Sequence, residues 1–120
     1  MARAPVSDLA GMLAGMAPVL DPREWGFVVA ESDPPAEAFA IIREDEGATA
    51  IVAEEGGAFA RITLTVHSAL DGVGLTAAVS TALAAAGIAC NVVAGFHHDH
   101  LFVPWERRDE ALTILQRLAA

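Results

Sequence analysis

The apolar positions between Arg61 and Trp105 change their period from two to helical spacing and back to two. Apolar and polar residues alternate over Arg61 to His67, which predicts a strand with one buried face. A helix is predicted over Val73 to Ala86, because its apolar residues return every three or four positions. Gly87 follows directly, where a left-handed C-cap belongs, so the helix is expected to end there.

Two short β-rich runs follow this helix. They cover Ile88 to Ala94 and Leu101 to Pro104, and the polar segment from His97 to His100 joins them in a length suited to an antiparallel hairpin. Helical spacing of leucines then predicts a second helix from Glu106 or Arg107 to Ala119. The order strand, helix, strand, strand, helix is that of a ferredoxin-like unit without its last strand.

The missing strand is expected from the N-terminal half of the chain. Either Pro18 to Leu20 or Trp25 to Ala30 would pair with the open edge of the Arg61 to His67 strand and satisfy its backbone groups. We expect Ile88 to Ala94 on the other side of that strand. A sheet face that one helical layer cannot cover predicts self-association. Its residues are Arg61, Thr63, Thr65, Val93 and Phe102.

The N-terminal half carries weaker patterns. Ser7 is expected to N-cap a short helix through Gly15. The segments Phe39 to Arg43 and Thr49 to Ala53 flank an acidic turn and predict a hairpin. Between this hairpin and the Trp25 to Ala30 strand, consecutive prolines predict a loop, because proline removes a backbone donor and restricts the residue before it.

Two segments, TLTVHSALDGVGLTAAVSTALAAAGIACNVVAG and HDHLFVP, resemble ACT domains, specifically the small stand-alone tandem ACT-like proteins of bacteria. The loop, the helix, the strand that contains Asn91 and the hairpin follow one another in the same order as in this family. The hairpin REDEGATAIV resembles the family's acidic hairpin, although Ala48 stands where a larger aliphatic residue is expected. The resemblance implies an α+β, ferredoxin-like (βαββαβ) antiparallel sheet with helices on one face, in two ACT-like units, 1–58 and 59–120.

The glycine loop from Ser68 to Gly74 leads into the predicted helix. Free backbone N–H groups and the helix dipole favour an anion at such a position, and a carboxylate would fit. The loop glycines allow a close backbone approach, and Asp71 either caps the helix or binds an ammonium group. A plain turn, with Asp71 only as a cap, explains the same residues without a ligand.

In ACT domains this loop and the facing strand commonly bind an amino acid at an interface. The resemblance therefore implies ligand-binding roles for six residues of this chain, namely Asp71, Gly72, Val73, Gly74, Leu75 and Asn91. Asn91 has an alternative role that needs no ligand. Its side chain would form hydrogen bonds with the local backbone at the start of a strand.

Candidates for catalysis are few. The chain contains seven arginines and no lysine. The absence of lysine excludes Schiff-base catalysis. His67 and Ser68 are neighbours on an extended segment, so their side chains point to opposite faces. Cys90 shares the apolar side of its strand, where cysteine behaves as a small buried hydrophobe. These residues give no support for catalysis, and the resemblance implies amino-acid binding. We therefore expect a non-catalytic protein without a cofactor that senses an amino acid.

The histidine-rich turn supports an alternative function. Imidazole and carboxylate groups suit zinc, nickel or manganese, and a metal-dependent enzyme would use His67, His98, Asp99 and His100. Successive residues of a turn diverge, however, so a solvated polar turn explains the same sequence. A third alternative is a purely structural dimerisation module that binds neither ligand nor metal.

Composition narrows the range of partners. The chain has 120 residues and a formal net charge of −9, with eleven acidic residues against three arginines through Ala60. This charge disfavours nucleic acid and anionic membranes. No apolar run approaches the roughly 20 residues that cross a bilayer. A single cysteine agrees with a reducing compartment, and we expect a cytoplasmic protein. The family resemblance implies that it is a homodimer and that it binds a small molecule.

Overall fold

A computed structural model describes Pro5 and residues 7–67 and 69–120. The predicted helices and strands are present, most of them with ends shifted by a few residues. In chain order they are α1 Leu9–Ala14, β1 Pro18–Leu20, β2 Trp25–Ala30, β3 Ala40–Glu44, β4 Gly47–Ala53, β5 Phe59–Leu64, α2 Leu75–Ala85, β6 Asn91–Ala94, β7 Asp99–Pro104, a 3₁₀ turn Trp105–Arg107, and α3 Arg108–Ala119.

All strand pairs are antiparallel, and the sheet has the order β3-β4-β2-β5-β7-β6, with β1 also beside β5. The C-terminal unit is therefore β1-β5-β7-β6, a ferredoxin-like arrangement whose fourth strand comes from the N-terminal half. Both candidate strands reach β5: Pro18 pairs with Leu64, and Trp25 pairs with Phe59. The predicted fold class and the predicted source of the fourth strand are confirmed.

The prediction that the Ile88 to Ala94 strand lies directly beside β5 was wrong. β7 lies there, and the Ile88 to Ala94 segment contributes β6 only beyond β7. The reason is the helix crossover. Because the chain crosses over through α2, β6 runs parallel to β5. The antiparallel strand β7 then lies between them and pairs with both.

The helices pack on one face of the C-terminal sheet, as expected. Alternate residues of β5 point into this core, with Ala60, Ile62 and Leu64 almost fully buried. The helices contribute Met12, Val79, Leu83 and Leu115, and Cys90 packs against the same core as a half-buried thiol. Burial raises the pKa of the Cys90 thiol, because the thiolate would be poorly solvated there.

Part of the opposite face of this sheet is covered from within the chain. Phe102 is 0% exposed and makes edge-to-face contacts with Trp25, Phe27 and Phe39, at centroid distances of 6.1, 5.3 and 5.9 Å. Phe102 is therefore not open to a second copy, contrary to the prediction, whereas Thr65 of the same predicted set is exposed. The N-terminal half belongs to the same sheet, and its aromatic rings fold onto the far side of β7.

Arg61 joins the two halves of the chain on that face. Its guanidinium lies between the rings of Trp25 and Phe39, 4.6 and 4.5 Å from their centroids, and donates to Asp21 Oδ2 at 3.0 Å. Arg23 also donates to the Asp21 carboxylate, at 2.9 Å from Nη2. This carboxylate therefore ties the connection between β1 and β2 to β5.

This contact predicts a pH dependence of stability. Hydrogen bonds from Arg23, with the charge of Arg61, lower the pKa of Asp21 from 3.8 to about 2. Asp21 therefore stabilises the fold above pH 3.8, and this contribution is lost as the pH falls through 2. Because Arg23, the main partner, is 57% exposed and the Asp21 side chain keeps 12% of its exposure, we expect a contribution of only about 1 kcal/mol. Urea unfolding of wild type and Asp21→Asn at about pH 5 and about pH 2 measures it. An equal stability difference between the two proteins at both pH values would contradict this assignment.

The ends of the helices follow local rules. The N-cap of α1 is Asp8, whose Oδ2 accepts a hydrogen bond from Gly11 N at 2.7 Å. The predicted N-cap, Ser7, is one residue too early. After α2, Gly87 has φ +72°, and the predicted left-handed cap is confirmed. In the described residues no helix is long and apolar enough to cross a membrane.

Candidate functional site

The start of α2 has no side-chain cap. Gly74 occupies the N-cap position with φ +105°, and among the described residues no side chain accepts from the first turn. The first backbone N–H groups of an α-helix have no partner within the helix. In α2 these belong to Leu75, Thr76 and Ala77, two residues further along than the sequence predicted. Asp71 does not cap this helix, so that explanation of the residue is wrong.

A cavity of about 80 Å³ lies beside this first turn. Its walls come from α1, the glycine loop, α2 and the β6–β7 hairpin, which are separate in sequence. The lining residues are Met12, Ala69, Leu70, Gly72, Leu75, Thr76, Ala94 and Asp99. The cavity thus brings together the uncapped first turn of α2 and Asp99 at the start of β7.

The loop glycines fit against α1. A Cβ added at Gly72 would lie 3.1 Å from Met12 Sδ, and one added at Gly74 would lie 3.2 Å from Leu9 Cδ2. Packing against α1 therefore explains both glycines without a ligand. Gly74→Val would disturb this contact as well as any bound molecule, so it is not a clean probe of binding.

The predicted ligand-binding residues separate into two groups. Gly72 and Leu75 line the cavity, and Gly74 starts the helix beside it. Asp71 and Val73 are exposed and lie outside the lining. Ser68, the first residue of the predicted loop, lies outside the described residues.

Asn91 stands apart from the cavity. It is the first residue of β6 and pairs with Phe102, whereas Ala94, at the other end of β6, lines the cavity and pairs with Asp99. Three residues of strand span about 10 Å. Within one copy of the chain, Asn91 is therefore not brought to the glycine loop.

Sequence reasoning missed two important lining residues. Asp99 was grouped with the histidines, although its place opposite Ala94 at the start of β7 follows from the hairpin register. Met12 had no signal of its own beyond an apolar position in α1. Its contact with Gly72 depends on the packing of α1 against the loop.

The histidine set does not converge. His100 bonds Thr63 Oγ1 through Nδ1 at 2.9 Å on the aromatic face, and burial, with the charges of Arg61 and His98, lowers its pKa. His98 Nδ1 lies 3.5 Å from the carbonyl oxygen of Val66. In the described part of the chain no group of three or more His, Cys, Asp or Glu residues is arranged to hold a metal ion. The structure therefore does not support a metal site at His67, His98, Asp99 and His100.

Comparison with known proteins identifies the family. ACT-domain family models match residues 61–117 and residues 4–67. The chain belongs to the ACT-domain family. Among proteins with curated descriptions, none matches it. ACT domains generally bind small molecules, often amino acids, and dimerise, so this chain is a ligand-binding regulatory module of that family.

Three solved structures are similar to this ACT protein. A protein of unknown function from Vibrio cholerae, described as a possible transport protein, is 38% identical over 93% of this chain and 96% of its own, with a TM-score of 0.81. An Agrobacterium tumefaciens protein is 20% identical over 79% and 81% of the two chains, with a TM-score of 0.63. The ligand-free regulatory subunit of aspartate kinase from Thermus thermophilus is 13% identical over 88% and 97%, with a TM-score of 0.65. The last two similarities concern the fold alone.

Proposed function

We propose that this ACT protein senses an amino acid, which binds in the cavity beside α2. The ligand carboxylate accepts hydrogen bonds from the backbone N–H groups of Leu75 and Thr76, where the helix dipole favours negative charge. The ligand ammonium group pairs with the carboxylate of Asp99. The observation that supports this proposal is that the uncapped start of α2 and the acidic residue Asp99 line the same cavity.

The two charges together select a zwitterion. A simple carboxylic acid would be attracted by the start of α2 but repelled by Asp99, and a simple amine would meet the reverse situation. An α-amino acid satisfies both ends. A carboxylate has about four lone-pair positions, so Asp99 accepts from a ligand while keeping its contacts within the protein.

A second copy of the chain gives Asn91 its role in this proposal. β6 is at one end of the sheet, and no described strand lies on its outer side. Antiparallel pairing of two such edges brings the Asn91 end of one β6 towards the Ala94 end of the other. We propose a homodimer of this kind, in which Asn91 of the partner subunit approaches the cavity.

The remaining parts of the proposal concern organisation and location. We propose two ACT-like units, 1–58 and 59–120, because the chain from β5 to α3 forms strand, helix, strand, strand, helix. The protein acts without catalysis, by passing ligand binding to its dimer or to a partner enzyme. We place it in the cytoplasm, where the thiol of Cys90 stays reduced.

Binding measurements on two aspartate variants test the site. Isothermal titration calorimetry of wild type with each of the twenty amino acids identifies the ligand. Asp99→Asn removes the charge facing the ammonium group and is expected to weaken binding about tenfold or more. Asp71→Asn is the matched control, because Asp71 is exposed and outside the cavity, and it should bind as tightly as wild type.

Two outcomes would contradict the proposed site. One is an Asp99→Asn variant that keeps wild-type affinity while melting normally. The other is equal binding of the amine that lacks the ligand's carboxylate, which would exclude the role of α2. Asn91→Ala then tests whether a second copy of the chain completes the site. This substitution weakens binding only if Asn91 of the partner subunit contacts the ligand.

A further inference from the structure

We infer that His67 and His97 together bind a divalent transition-metal ion of the class of zinc, copper and nickel. Imidazole nitrogen is a preferred ligand of these ions. His97 does not belong to the set of His67, His98, Asp99 and His100, whose side chains do not converge. The inference goes beyond the proposed function, since the pair needs neither an amino acid nor a partner subunit.

The two rings come together from segments that are distant in sequence. His67 directly precedes the glycine loop, and His97 is in the turn between β6 and β7. Their ring centroids are 5.5 Å apart, and the ring planes differ by 37°. At a tetrahedral ion with zinc–nitrogen distances of about 2.0–2.1 Å, the centroids of two imidazole ligands are about 5 Å apart. The pair therefore has nearly the spacing that a shared ion requires.

Nε2 of His67 is a second, independent indication. This nitrogen is buried and has no hydrogen-bond partner among the described residues. A buried polar atom without a partner is costly, and a bound ion or water removes that cost. With the ring proton on Nδ1, the lone pair of Nε2 is free to bind a metal. Phe96 packs against both rings, at 6.1 Å from His67 and 5.1 Å from His97, but has no nitrogen to offer.

The proposed site has two protein ligands and an open side. Within the described ranges no third His, Cys, Asp or Glu residue is placed to join them. His97 is exposed, so an ion reaches the pair from solvent, and water completes its coordination. We therefore expect reversible binding, weaker than at a structural zinc site with four protein ligands. The bound ion would connect the start of the glycine loop to the β6–β7 turn and stabilise the folded chain.

Calorimetric titration with Zn²⁺ tests this pair, in protein without a histidine tag and without added amino acid. Wild type should bind one ion per chain. His67→Gln and His97→Gln should each weaken binding about tenfold or more, because each removes a metal ligand. His98→Gln is the matched control in the same turn. Nδ1 of His98 lies 3.5 Å from the carbonyl oxygen of Val66, so this variant should bind Zn²⁺ about as tightly as wild type.

His97→Gln decides the test if His67→Gln does not fold, because His97 is exposed. The inference is overturned if wild type binds no Zn²⁺. It is also overturned if His97→Gln melts normally and keeps wild-type affinity. Equal losses for His97→Gln and His98→Gln would mean that the turn as a whole binds the ion, and the assigned pair would be wrong. The amino-acid site is measured without metal, so its failure is seen separately.

Discussion

Phe102→Ala is expected to lower the free energy of unfolding by about 3–5 kcal/mol, the range for removing a fully buried phenylalanine. The ring is 0% exposed, and three aromatic rings of the N-terminal half surround it. Its loss leaves a cavity between the two halves and removes the edge-to-face contacts of Trp25, Phe27 and Phe39. Urea unfolding followed by tryptophan fluorescence measures the change, because Trp25 reports on the same cluster.

Phe96→Ala is the matched control for this prediction. Phe96 is 67% exposed in the turn between β6 and β7, so its removal should change the free energy of unfolding by less than about 0.5 kcal/mol. Similar losses for the two variants would mean that the aromatic cluster does not hold the halves together.

Gly57→Ala is expected to cost about 3 kcal/mol, at the upper end for overpacking. A Cβ on Gly57 would lie 2.5 Å from the carbonyl oxygen of Trp25 and 2.6 Å from its carbonyl carbon. Both are backbone atoms at the place where β2 meets β5, so no side-chain rotation relieves the clash. The strands have to separate locally, which also disturbs the Trp25 ring and its contact with Arg61.

Equilibrium unfolding in urea again measures this effect. Ala58→Ser, at the exposed neighbouring position, should leave stability almost unchanged and controls for the location. A Gly57→Ala variant within about 1 kcal/mol of wild type would show that β2 and β5 adjust more easily than their close approach suggests.

Local patterns predicted the elements of this fold well. The period-two alternation around Ile62 and Leu64 reflects direct contact with the helices, and Gly87 ends α2 as its conformation requires. The order of the elements, together with the family resemblance, predicted the type of sheet and the need for a fourth strand. These features depend on residues close together in sequence, and the sequence therefore contains them explicitly.

The order of the strands in the sheet and the burial of Phe102 by the N-terminal half were harder to predict. Nothing in the local pattern of Ile88 to Ala94 says that β7 lies between it and β5. Phe102 and Arg61 were assigned to an open face because their aromatic partners, Trp25 and Phe39, lie far away in sequence. Contacts of this kind depend on how the whole sheet curls.

The candidate site shows the same division. Gly72 and Leu75 were predicted because the family resemblance implies ligand binding at the loop before this helix. Asp99 was recognised as a chemically active residue but was assigned to a metal cluster, because its place opposite Ala94 depends on strand register. Met12 enters through the packing of α1, which a reading of the loop alone does not include.

The position of β1 in the chain has a consequence for biosynthesis. In the usual order of a ferredoxin-like unit, the edge strand beside the first strand is the last to be made, so that strand waits with one side bare. Here β1 precedes β5 in the chain, and it has already left the ribosome when Ile62 to Leu64 emerge. Chains grow at about 5–20 residues per second, slowly enough for short segments to pair as they appear. The edge partner of β5 is therefore available as soon as β5 emerges, and this side of β5 does not have to wait for the end of the chain.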